Sequence, residues 1–80
     1  MAKKFGIVSD EVVKDPSLSL RAKGLYALLC SYADKNRQCY PKINTLAEFS
    51  GVSRRSIERT IIELESKGYL RKQGRVFILK

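Results

Sequence analysis

Ser53-Arg54-Arg55-Ser56, with Arg59 one turn further along, gathers three guanidinium groups and two hydroxyls in a short stretch of chain. Such side chains hold oxyanions, because the planar fork of a guanidinium grips two oxygens at once. The same fork spans the two acceptors on the edge of a guanine, and a serine hydroxyl bonds a phosphate or a base edge. A second set of cations, Arg71, Lys72 and Arg75, lies near the C-terminal end, and Lys42 and Thr45 stand just ahead of the first set. Other chemistry is poorly provided for. The chain contains no His, which removes the commonest general base. Its two cysteines, Cys30 and Cys39, fall short of the four ligands that a structural zinc takes. No nucleophile, base and orienting group can be drawn together, so no catalytic residue, metal, cofactor or small-molecule substrate is expected.

The elements that must carry these groups follow from apolar spacing and chain breaks. Phe5 to Val8 is β-prone, and Val12-Val13 either continues it or forms a turn of helix. Asp15-Pro16-Ser17 is a break, since proline restricts the residue before it. Ser19 is an N-cap for a first helix over Leu20 to Ala33, with Ala22, Leu25, Tyr26, Leu29, Tyr32 and Ala33 on one face. Gly24 costs such a helix roughly 1 kcal/mol against Ala, which implies a close approach by another helix. Asp34 to Arg37 is a polar turn and Gln38 to Tyr40 a short extended piece. A second helix over Ile43 to Ser50 should bury Ile43, Leu46, Ala47 and Phe49, and Gly51 stops it. Ser53 caps a third helix over Arg54 to Lys67, with Ile57, Ile61 and Leu64 inward and Gly68 as its left-handed end. Tyr69 to Leu79 reads as two strands around a tight turn at Gln73-Gly74-Arg75. Phe77 alternates there with Val76 and Ile78, so one face of the strand packs on the third helix while the other is partly open.

The segment from Thr45 to Thr60 has a mechanical grammar. Ala47 is small where a helix crosses above it, and Gly51 takes the positive φ of the turn. Val52 and Ile57 plug the gap between two helices, and Leu46 anchors the pair. Two helices at a steep angle then leave Ser53, Arg54, Arg55, Ser56 and Arg59 exposed. The start of that third helix adds free N–H groups and a partial positive charge, which attract phosphate before any side chain acts. These features predict an α+β winged helix-turn-helix: a three-helix core with a small antiparallel sheet or hairpin wing. Residues 1–80 are expected to form one domain, with the helix-turn-helix at about 43–67 and the wing at about 69–79.

Four stretches carry a family likeness: Leu18 to Leu29, Tyr40-Pro41, Leu46 to Ile57, and Leu64 to Leu70. Together they resemble the winged-helix domains of phage and plasmid replication proteins and of small regulators from the same mobile elements. The resemblance implies that Ser53 to Ser56 open a recognition helix. It also implies a role in replication initiation or transcriptional regulation. The short turn at Gly74 leaves little wing to project, so Arg71, Lys72 and Arg75 are expected on phosphates.

Sixteen Lys and Arg against eight Asp and Glu give a net charge of +8. Such a field attracts polyanions, whether nucleic acid or an anionic membrane surface. No apolar run approaches the ~20 residues of a membrane helix. Met1-Ala-Lys-Lys lacks a following apolar run, so no secretory signal is expected and a reducing cytoplasm is the expected compartment. Cys30 then reads as a small buried apolar residue and Cys39 as a strand residue. Binding of double-stranded DNA is the leading expectation, through Lys42, Thr45, Ser53, Arg54, Arg55, Ser56, Arg59, Arg71, Lys72 and Arg75. Single-stranded or structure-specific DNA binding and a protein-interaction module are the alternatives.

Each contact has a plainer reading beside it. Arg54 and Arg55 could be solvated surface charges, and Arg59 could pair with Glu63 four residues on. Glu58 and Glu63 read as surface residues, although an acid can accept from cytosine N4. Tyr26, Tyr32 and Phe49 belong to the core by spacing, whereas Tyr40 or Tyr69 could stack on an unpaired base. A homodimer, or cooperative dimerisation on DNA, is expected through the strand Phe5 to Val8 or the open face of Val76 to Leu79, since an unpaired apolar edge is a template for another chain.

Overall fold

The computed structural model describes residues 10–80; the expected strand at Phe5 to Val8 lies outside them. Asp10–Val13 forms a single helical turn, α1, that buries Val12. Asp15 then ties the break that follows. Its carboxylate accepts from the amide and hydroxyl of Ser17 and from the hydroxyl of Tyr69. The Ser17 hydroxyl and the Tyr69 hydroxyl lower the Asp15 pKa to about 2, and the same carboxylate raises that of Tyr69 to about 12. Tyr69 is therefore a buried, occupied ring rather than a stacking platform.

The scaffold helix α2 spans Leu20–Tyr32, and the Ser19 hydroxyl accepts from the Ala22 amide at 3.1 Å. Ala22, Leu25, Tyr26, Leu29 and Cys30 are buried on its inner face, with Tyr32 and Ala33 packed beside them. A left-handed Arg37 closes the turn after α2, and its guanidinium donates to the Tyr26 hydroxyl and to the Lys80 main-chain oxygen. Strand β1, Gln38–Cys39, follows. Burial pushes the Cys39 thiol up to about 11, so it behaves as a small apolar residue.

Helix α3, Ile43–Ser50, ends at Gly51 with φ 72°, and α4 runs Arg54–Ser66. Gly68 has φ 81°, and the Tyr69 and Gly68 amides donate to the Leu64 and Glu65 carbonyls, which closes α4 with paired C-terminal bonds. Strands β2, Leu70–Gln73, and β3, Val76–Leu79, form a hairpin. Its turn is made by Gly74, with φ 60°, and Arg75. Leu46, Ile57, Ile61, Leu64, Phe77 and Leu79 complete one core shared by helices and sheet. The result is the α+β winged helix-turn-helix.

Three expectations need correction. Phe49 is 66% exposed, because it lines an open groove between α2 and the start of α4 instead of entering the core with Leu46. No helix approaches Gly24, where an added Cβ would meet nothing within 4 Å. Strand β3 is central in the order β1-β3-β2, pairing with β1 at Gln38 and Cys39 and with β2 along its length. It is thus not the unpaired edge strand expected.

Candidate nucleic-acid interface

The turn at Gly51 sets the start of α4 at the surface, and the cap fixes its first residues. The Ser53 hydroxyl accepts from the Ser56 amide at 3.2 Å and donates to the Ser56 hydroxyl at 3.3 Å. Both serines are thus turned onto their own helix end. Thr60 is buried and donates to the Ser56 carbonyl at 2.7 Å, which holds the first turn rigid. Arg54, Arg55 and Arg59 project into solvent from this frame.

Arg54 lines one wall of an open groove of about 650 Å³. Lys42, at the head of α3, and Lys72 and Arg75, at the tip of the hairpin, line the rest together with Tyr40 and Asn44. Pairing explains the inclusion of Lys72: it stands opposite Phe77, on the same face of the sheet as buried Leu70 and Leu79. Arg71 stands opposite Ile78 on the other face and lines a separate cleft with Lys80. Register therefore splits the expected wing trio. Thr45 is half-buried on α3 and does not line the groove.

Arg55 is exposed on the first turn of α4, while Arg59 does not line the groove of Arg54 and shares a cleft with Ser19, Arg21 and Glu63. Glu63 does not pair with Arg59. Its two carboxylate oxygens accept from the amide and hydroxyl of Ser19, each at 2.9 Å. Lys14–Asp10 and Lys80–Glu11 form ion pairs. Lys42, Arg54, Arg55, Arg59, Lys72 and Arg75 are in neither of these pairs. Two lining residues were absent from the expected contact set: Asn44, and Tyr40, whose ring is 65% exposed. The sequence signal for both was slight, namely their place beside Pro41 and Lys42.

A family model described as a helix-turn-helix domain matches residues 17–70. The chain belongs to that family. The match covers α2, α3 and α4 and reaches the first residue of β2. Membership in a helix-turn-helix family points to DNA as a partner. Comparison of this helix-turn-helix protein with curated proteins and with solved structures finds no match. None of its described helices is long and apolar enough to cross a membrane.

Proposed function

We propose that the chain binds double-stranded DNA with the start of α4 in the major groove and the hairpin tip over the adjacent backbone. The observation that carries this reading is the groove in which Lys42, Arg54, Lys72 and Arg75 converge from three separate elements. Arg55 is the residue assigned to read a base edge, because it is exposed on the first turn of α4 and is in no ion pair among the described residues. Lys42, Lys72, Arg75 and Arg59 neutralise phosphates, and Ser53 and Ser56 act by presenting the helix end rather than through free hydroxyls. Arg71 and Thr45 contribute least. One recognition helix contacts only about 3–5 base pairs, so a specific site calls for two copies side by side on the DNA. The likeness to phage and plasmid winged-helix domains supports replication initiation or transcriptional regulation in a mobile element. Two buried free thiols suit a reducing cytoplasm.

A second reading rests on Tyr40, an exposed ring between cations and available to stack on an unpaired base. Titrating one oligonucleotide as a duplex and as its single strands, at two salt concentrations, decides between them. Tighter duplex binding, with log K falling by about 4–5 per decade of salt as several phosphates are neutralised, is expected. Preference for the single strand, lost in Tyr40→Ala, would overturn the duplex reading.

A further inference from the structure

A second groove, of about 630 Å³ and sharing no residue with the first, runs between α2, the end of α3 and the start of α4. Its lining is apolar: Leu20, Gly24 and Leu28 from α2 meet Phe49, Val52 and Ile57. Leu20 is 86% exposed and Phe49 66% exposed, an arrangement that water alone does not favour. Leu20, Gly24 and Leu28 recur at four-residue spacing along one side of α2. Glycine weakens a helix, and inside this chain Gly24 relieves no clash, since a Cβ there would touch nothing within 4 Å. The missing side chain instead leaves a trough between two exposed leucine and phenylalanine shoulders.

The rim of the trough is cationic. Arg21 lines it and also the neighbouring cleft that holds Arg59. The nearby acid, Glu63, has both oxygens engaged by Ser19, and neither arginine has an ion pair among the described residues. We infer that this groove docks an amphipathic helix of another protein, with its apolar side on Leu20, Gly24 and Phe49 and acidic residues against Arg21. Helix-in-groove recognition works by such spaced apolar anchors. A second copy of this chain fits poorly. A two-fold contact would set one Arg21 rim against another, between chains that each carry +8.

The test uses two labelled helical peptides of about 18 residues, above the length at which isolated helices are marginal. One carries Leu on one face and Glu on the other, and its counterpart carries Lys in place of Glu. The Glu peptide should shift the amide NMR signals of Leu20, Gly24, Leu28 and Phe49, and the Lys peptide should not. Phe49→Ala and Arg21→Glu, both at exposed positions, should each weaken the Glu peptide about tenfold or more. Gly24→Leu should raise the melting temperature yet abolish binding by filling the trough. Phe49→Ala should leave duplex DNA affinity unchanged, which separates this surface from the DNA-binding one. Absence of those shifts, or shifts confined to Arg54, Arg55 and the hairpin, would overturn the inference. So would sedimentation of the free protein as a dimer that Phe49→Ala returns to monomer, since the groove would then belong to a second copy.

Discussion

Helices α2 and α4 are nearly twins in local structure and differ in what meets their N-terminal ends. Each has thirteen residues, and each follows a serine in extended conformation whose hydroxyl accepts from the amide three residues on. Each buries an apolar stripe against the same core. What differs is the anion at the helix start. At α2 the chain supplies its own, because Glu63 takes both the amide and the hydroxyl of Ser19. At α4 no acid of the chain bonds the capping serine, and Arg54 shares a groove with Lys42 while Arg55 stands exposed beside it. A helix start becomes scaffold when the fold closes it with an acid, and a contact surface when the fold surrounds it with positive charge.

The largest effect should come from cutting into the scaffold side of this pair. Leu29 is fully buried at the centre of α2, and Leu29→Ala should cost about 2–5 kcal/mol, enough to unfold much of so small a protein. Thermal denaturation followed by circular dichroism measures it. Arg55→Ala is the converse case: stability should hold, and duplex affinity should drop by about 1–3 kcal/mol if the residue reads a base. Equal affinity of mutant and wild type in a fluorescence titration would remove Arg55 from the interface.

Changes at the two caps test the comparison itself. Ser19→Ala and Ser53→Ala should each cost about 1 kcal/mol as lost caps. The Ser19 variant should cost more, because it also removes one of the two bonds to Glu63, and its DNA affinity should be untouched. Smaller again is the contrast within the hairpin. Arg75→Ala should weaken binding to all sequences and lower the salt slope by roughly one, whereas Arg71→Ala, on the other face of the sheet, should leave the slope unchanged.

The mildest effect is that of pH. Asp15 is held from its ordinary 3.8 down to about 2 by the Ser17 and Tyr69 hydroxyls. A carboxylate with a depressed folded pKa gives its full support above the unfolded value, and that support fades as pH falls from about 4 toward 2. Tyr69, raised to about 12 by Asp15, behaves oppositely and loses support as pH rises through 10 toward 12. Asp15→Asn should flatten the acid limb of a stability–pH curve. An acid limb identical to that of the wild type would show that this contact contributes nothing.

Much of the fold was legible because it is written in local signals. Ser19, Gly51, Ser53 and Gly68 are short-range instructions about backbone geometry, and the structure places a cap or a positive φ at each. Helix ends accordingly fell within a residue of expectation, with Ala33 and Lys67 serving as caps rather than last turns. The misreadings were long-range. Phe49 has an apolar side chain and a plausible helical phase, yet nothing in its own neighbourhood says that α2 and α4 leave an open groove beside it. Glu63 sits four residues from Arg59, but its partner, Ser19, is 44 residues away. The candidate site was half legible: the residue types were evident, and their convergence was not.

From the sequence alone came the net charge, the absence of histidine, the capping serines, the turn glycines and the apolar stripes, all properties of residues or of near neighbours. Only the tertiary structure decided which cations share a groove. Register put Lys72 and Arg71 on opposite faces of the hairpin, helix phase separated Arg54 from Arg59, and a bond across the fold withdrew Glu63. The physical reason is that charge belongs to a side chain, whereas a binding surface is set by directions, and directions are fixed only when helices and strands pack.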